Sequence, residues 1–258
     1  MSYNRRLPAL RRSRQLGFTF VELVVVLTVV SLLSWASFNA YETVRDDQDR
    51  SQARNLANEL QAHLRAFSIR HGRLPCPDFS ASATGLENSS GPCTGTGEIG
   101  WFPYISLGLV VPEEAWRARY GVFRAANADP QKDADLAVAK ERTDDPVSDV
   151  HYQDVSDLIV ALNNAAGMPL STSHPNLTGD GGAAGVVDCA TNSVLNVAYW
   201  LVVPLKDRSG DGGRLDPPQT LNGRCVQSPA APPTAESDDV VLSESPVQLA
   251  GWLRRSLP

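Results

Sequence analysis

From Phe18 to Phe38 the chain reads FTFVELVVVLTVVSLLSWASF, an apolar run broken by a single charge, Glu22. At 1.5 Å per residue, about 21 residues of helix cover the roughly 30 Å hydrocarbon layer of a bilayer. The run therefore predicts a transmembrane helix. Beyond Phe38 the pattern changes without stopping. Tyr41 to Arg70 contains no Pro or Gly and is rich in Ala, Leu, Arg, Glu and Gln, which are good helix formers. Leu56, Leu60, Leu64 and Phe67 recur four, four and three residues apart, which lines one helical face and predicts a core-facing stripe. Gly72 and Pro75 end the pattern. One helix from Phe18 to about His71 would be on the order of 80 Å long.

The remainder reads as α+β. Runs of apolar, β-branched and aromatic residues at 101–111, 116–124 and 194–205 predict strands, the last most clearly. Leu158, Leu162 and Ala166 share helical spacing within Asp157 to Ala166. Pro246 to Leu257 predicts another helix, with Leu249, Trp252 and Leu253 on one face and Arg254 and Arg255 near its C-terminal end, where cations suit the helix dipole. Segments 78–98, 125–149, 171–192 and 206–239 are rich in Gly, Pro, Ser and Asp and predict long loops.

Charge sharpens the division. Residues 1–17 carry Arg5, Arg6, Arg11, Arg12 and Arg14 and no acid. Setting those five of the 23 basic residues aside leaves 18 against 29 acidic ones, a balance of -11. A basic stretch before an apolar span holds the N-terminus in the cytoplasm, so the C-terminal bulk is translocated. An acidic ectodomain offers no electrostatic footprint for nucleic acid phosphates, and no nucleic acid partner is expected.

A secretory signal peptide fits poorly, because the apolar run is too long for an h-region and Ser34-Trp35-Ala36 is the nearest approach to a cleavage site. A plain signal anchor leaves Gly17 and Glu22 unexplained. The stretch R-S-R-Q-L-G-F-T-F-V-E-L, residues 12–23, resembles the processing site of type IV prepilins and pseudopilins. That resemblance implies a prepilin peptidase cut between Gly17 and Phe18, N-methylation of Phe18, and an assembly role for Glu22. It implies a pilin-like α+β fold, with a long N-terminal helix, transmembrane in one half and amphipathic in the other, packed on an antiparallel-sheet globular domain. The segments are then 1–17 leader, 18–38 transmembrane or filament-core helix, 39–71 amphipathic continuation and 72–258 extracytoplasmic domain. Many pilins have a kinking proline after the apolar segment, where this chain has Phe38-Asn39-Ala40.

The resemblance also implies partners and place: prepilin peptidase, other pilin-like subunits, and the assembly platform of a type IV pilus or type II secretion system. The subunit would cross the bacterial inner membrane once, with its C-terminal domain periplasmic, and then enter a filament. G-R-L-P-C-P-D at 72–78, G-x-I-G-W at 97–101 and D-D-V-V at 238–241 resemble a group of large minor-pilin-like proteins. E-E-A-W-R-A-R-Y at 113–120 resembles the D-x-W-G-x-x-Y segment of pseudopilins, with Arg117 in place of the family's Gly.

The physics of Glu22 agrees. A carboxylate in an apolar span costs a few kcal/mol on insertion scales, less near the helix end than at its centre. Cutting before Phe18 creates a cationic amine as partner, in the same helix or a neighbour's. A charge that is costly in isolation and neutralised on packing biases assembly and register.

Cys76, Cys93, Cys189 and Cys225 all lie downstream of the apolar run, hence outside the cytoplasm, where an even count favours disulfides. Three pairings are open. Cys76 with Cys93 and Cys189 with Cys225 are favoured, because each pair closes a loop rich in Gly, Ser, Thr and Asn. Zinc has no C-x-x-C or neighbouring His pair to support it.

Other motifs carry little chemistry. Gly95, Gly97 and Gly100 match G-x-G-x-x-G but lead into a strand, whereas a dinucleotide site needs glycines between a strand and a helix start. Gly-Asp-Gly-Gly occurs at 179–182 and 210–213; around the second, Asp207, Asp211 and Asp216 have the chemistry of calcium ligands, without EF-hand spacing, beside the plainer reading of a turn. Major pseudopilins have a comparable calcium loop. There is no G-x-S-x-G or H-E-x-x-H, and His63, His71, His151 and His174 are scattered. Asp144-Asp145 and Asp238-Asp239 read as solvated surface pairs. No cofactor and no catalytic residue are expected, so the chain reads as a non-enzyme. A membrane-tethered enzyme and a DNA-capturing or surface-binding minor pilin are the alternatives.

Overall fold

In the computed structural model the described residues are 19–88, 93, 97–143, 153–179, 186–232, 234 and 236–256. The chain divides between Gln48 and Asp49 into two compact units. Helix α1, Phe20–His71, runs from the first unit into the second as 52 residues without a proline.

In the first unit the apolar side chains are exposed all around α1: Leu27 is 57% exposed and Trp35 69%. The helix is long and apolar enough to cross a membrane. Two of its hydroxyls are satisfied within the helix, as lipid favours. Thr28 Oγ1 donates to the Val25 carbonyl at 2.8 Å, and Ser31 Oγ to the Leu27 carbonyl at 2.7 Å.

In the second unit α1 turns one face inward. Ala53, Ala57, Leu60, Leu64 and Phe67 are buried at alternating steps of four and three. The sequence stripe began at Leu56, which is only half-buried. Alanines 53 and 57 hold the inner face instead, both buried in the main core. Gly72 ends α1 at φ 58°, where its N–H donates to the Ser68 carbonyl at 3.0 Å. This left-handed stop suits Gly alone, since a Cβ there would also lie 2.6 Å from the Asp154 carbonyl oxygen.

The first sheet is antiparallel, with strands β1 (Ile99–Trp101), β2 (Arg119–Val122), β5 (Tyr199–Val203) and β7 (Val240–Glu244) in the order β1-β2-β5-β7. The second sheet orders β4 (Ser193–Asn196), β3 (Asn176–Thr178) and β6 (Cys225–Gln227). Its β3–β4 pair is antiparallel and its β3–β6 pair parallel.

β5 is buried on both faces. Tyr199, Leu201 and Val203 belong to the core that includes Leu60, Leu64 and the helices, while Trp200 and Val202 join Leu177, Leu215 and Val226 in a second core. Gly121 stands opposite Trp200 across β2 and β5, and a Cβ on it would meet the indole at 2.5 Å. Helix α2 (Val155–Gly167) buries Leu158, Leu162 and Ala165, with Ala166 exposed; α3 (Pro246–Ser256) buries Leu249, Ala250 and Leu253.

Three expectations need correction. The predicted strand 101–111 is strand only at Trp101. Pro103 and Gly108 interrupt it, and Ile105–Leu107 turn as a 3₁₀ helix ending at Gly108, φ 80°. The predicted strand 194–205 is two strands in different sheets, separated at Val197 and Ala198, whose N–H groups donate to Pro175 and Glu244. The predicted loops 171–192 and 206–239 contain β3 and β6, each only three residues long.

Irregular backbone is held by buried charge. Arg124 forks onto Asp135 (Nη2–Oδ2 2.9 Å, Nε–Oδ1 3.0 Å), and Arg142, fully buried, donates from Nε to Asp133 Oδ2 at 3.0 Å. These pairs fix residues 123–143, where only Pro130–Lys132 form a regular turn.

Candidate functional site

The first described turn of α1 places Glu22. Thr19 precedes the helix, and its N–H and hydroxyl both donate to Glu22 Oε2 at 3.0 Å, while the Glu22 N–H donates to Thr19 Oγ1 at 3.3 Å. This reciprocal arrangement satisfies two donors that a helix start otherwise leaves unpaired. It also holds the carboxylate back toward the helix beginning, beside the residue that follows Phe18. Gly17 and Phe18 themselves lie outside the described residues.

The cysteines pair as Cys76–Cys93 and Cys189–Cys225, each with Cα atoms 5.7 Å apart, a separation ordinary for disulfides. The second bond ties the start of β6 to the segment before β4.

Asp207, Asp211 and Asp216 do not come together. Asp207 accepts from the N–H groups of Gly210 (2.6 Å) and Gly212 (2.9 Å), and Asp211 from Gly213 (2.6 Å), so both are turn-forming residues. Asp216 is buried and meets Asp238 and Asp239, with the three carboxylates within 4.8 Å of one another. The expectation that Asp238-Asp239 is a solvated surface pair is thus overturned: Asp216 Oδ2 accepts the Asp238 N–H at 3.2 Å, and Asp239 Oδ2 accepts the Asp216 N–H at 2.9 Å. Asp239 is pushed up to about 7, first by burial and then by the charges of Asp216 and Asp238; the N–H groups of Asp216 and Leu205 oppose the rise. Arg208 Nε sits 2.6 Å from Asp238 Oδ2.

His174 is held by Glu98, Nδ1 to Oε1 at 2.8 Å, and stacks on Phe123 with ring centroids 4.5 Å apart. Arg224 Nε takes the other Glu98 oxygen at 2.6 Å. Neither this trio nor the acid cluster was visible in spacing along the chain, since Glu98 lies 76 residues from His174 and 126 from Arg224, and Asp216 lies 22 and 23 residues from Asp238 and Asp239. His151, Gly95, Asp144-Asp145 and residues 180–182 lie outside the described residues.

Residues 12–38 match the family model described as the prokaryotic N-terminal methylation motif. No curated protein and no solved structure gives a significant match. The match supports a type IV pilin-like protein, and the chain has the long N-terminal helix and the α+β globular domain that go with that reading. The motif implies processing by prepilin peptidase and assembly with other pilin subunits, and the apolar helix is consistent with a membrane anchor.

Proposed function

We propose that this chain is a minor pilin or pseudopilin, a non-enzymatic structural subunit of a type IV pilus or type II secretion filament. Prepilin peptidase cuts between Gly17 and Phe18 and methylates Phe18. Before assembly the subunit crosses the bacterial inner membrane once, N-terminus cytoplasmic and globular domain periplasmic; the assembly platform then draws it into the filament. The observation that carries this reading is a single carboxylate, Glu22, held toward the start of α1, whose first part is otherwise apolar with its large side chains exposed. Packing against other helices in lipid gains little from apolar contact, which leaves polar pairs to contribute on the order of 1 kcal/mol each.

Glu22→Val tests it. The variant should be inserted and cleaved normally, since it removes a group that lipid disfavours, while its share in sheared filaments or purified assembly complexes drops several-fold. Equal incorporation of wild type and variant would mean that Glu22 is not an assembly contact.

A further inference from the structure

Arg119 of β2 is a buried cation with no acid paired to it among the described residues. It lies against Trp101, its cross-strand partner on β1, with the guanidinium carbon 4.5 Å from the ring centre. The residue is 5% exposed, its Nη2 donates to the Leu221 carbonyl, and its buried Nε has no hydrogen-bond partner. The charge of Asp78 reaches Arg119, but both Asp78 oxygens are taken. Oδ1 accepts the Ser80 N–H at 2.8 Å, and Oδ2 accepts the Gly85 N–H at 2.7 Å and the Thr84 hydroxyl at 3.1 Å. Burial lowers Arg119 to about 10, so it stays charged at neutral pH. A buried charge and donor left in this state are costly, and a carboxylate from outside would relieve both.

Two more guanidinium groups stand beside it. Arg214 lies over the same Trp101 ring at 5.4 Å, and the charge of Arg117 reaches Arg214. Backbone carbonyls anchor both. Arg214 Nη2 donates to Glu114, while Arg117 donates from Nε to Pro112 at 3.2 Å and from Nη1 to Ser82 at 3.4 Å. A carbonyl fixes a guanidinium without neutralising it, and each of the three keeps N–H groups that make no hydrogen bond among the described residues. The one carboxylate within ion-pair distance of any of them, among the described residues, is Glu114: Oε1 lies 3.8 Å from Arg214 Nη1, on a side chain 78% exposed.

We propose that Trp101, Arg117, Arg119 and Arg214, at the β1 edge of the first sheet, form a docking site for an acidic segment of a partner polypeptide, whose carboxylates supply the missing counter-charge. Guanidinium forks match carboxylates in geometry, and Trp and Arg are the residue types that anchor interfaces. Leu221, exposed beside Arg119, adds an apolar contact at the rim. The site already draws a carboxylate from within the chain, since Glu114 sits too far for a hydrogen bond and yields to a better-placed acid. Nucleic acids and anionic membranes present many phosphates at once. Three clustered cations, in a chain whose residues beyond 17 carry 18 basic against 29 acidic groups, are a poor match for them. This contact goes beyond the filament role and does not rest on it.

The test uses the full chain in a non-ionic detergent, with fluorescence anisotropy of labelled hexa-aspartate, hexaserine and an oligothymidine strand. Hexa-aspartate should bind several-fold more tightly than either of the others. R117Q/R214Q removes two charges from the half-buried rim and should weaken hexa-aspartate several-fold. Glu114→Gln removes the competing carboxylate at an exposed position and should strengthen it several-fold, a gain that a purely structural arginine cluster would not give. Glu114→Gln decides alone should the double variant fail to fold. Equal affinity for hexa-aspartate and hexaserine, undiminished binding by a folded R117Q/R214Q, or no gain in Glu114→Gln would each overturn the site. Tighter binding of oligothymidine, lost in R117Q/R214Q, would overturn the acidic polypeptide as its ligand and put a nucleic acid in its place.

Discussion

Arg65 on α1 forks onto Glu244 at the end of β7, with Nη2 to Oε1 at 2.7 Å and Nε to Oε2 at 3.2 Å. Gln61, one turn earlier, donates to the same carboxylate at 3.4 Å, and the Tyr199 hydroxyl of β5 donates to it as well. One buried acid thus joins the helix to the two adjoining strands, and the Arg65 guanidinium lies 5.0 Å from the Trp252 ring centre on α3. Burial and the neighbouring Glu244 charge hold the Tyr199 hydroxyl well above its usual range.

Removing this acid leaves three donors without their acceptor. Breaking a buried pair typically costs 3–5 kcal/mol, and Arg65 keeps some contact with water, so Glu244→Ala should destabilise the second unit by roughly 2–4 kcal/mol. For a domain of this size that is a fall in melting temperature of about 5–15 °C. Thermal melts by circular dichroism on full-length protein in detergent would show it. An unchanged transition would mean that α1 is held by its apolar stripe alone.

The Asp216, Asp238 and Asp239 cluster predicts a pH dependence of unusual sign for acids. Asp239, raised to about 7, keeps a proton in the folded state that it loses in the unfolded chain above its ordinary carboxylate value of about 4. The stabilisation is therefore complete below about pH 4 and lost as pH rises to about 7, beyond which it stays lost. Denaturant midpoints should decline across that window in wild type. Asp239→Asn, which cannot titrate, should flatten the decline. An equal slope in both proteins would place the titrating group elsewhere.

How much of this was legible in the sequence depends on the range of the interactions. Helices α1, α2 and α3 declare themselves through spacing and through Gly and Pro at their ends, because those signals are local. β5 reads as apolar throughout, as a strand buried on both faces must. β3 and β6 stay hidden because three-residue strands such as Asn176–Thr178 bury polar side chains and depend on partners far along the chain. Pro103 and Gly108 are explicit breakers within a run that its apolar residues alone had marked as a strand. The acid cluster is illegible for a further reason: Asp238-Asp239 looks like any exposed acidic pair until the loop carrying Asp216 folds over it.

The disulfide framework gives a covalent check. Non-reducing peptide mapping of protein extracted from native membranes should find Cys76 linked to Cys93 and Cys189 to Cys225. The Cys189–Cys225 bond closes 36 residues, for which chain entropy gives roughly 4 kcal/mol, so Cys225→Ser should lower stability by an amount of that order. Free thiols throughout, or crossed pairing, would overturn both the pairing and the translocated topology.

The central claim is that the apolar helix begins, in the mature protein, at a residue made by prepilin peptidase. Intact and N-terminal peptide mass spectrometry of the membrane-extracted protein tests this most directly, in wild type and in Gly17→Leu, whose side chain the cut site should not admit. The account predicts a wild-type chain starting at N-methylated Phe18 and an uncleaved Gly17→Leu precursor. A wild-type chain that retains residues 1–17, or a Gly17→Leu chain that still starts at Phe18, would contradict it.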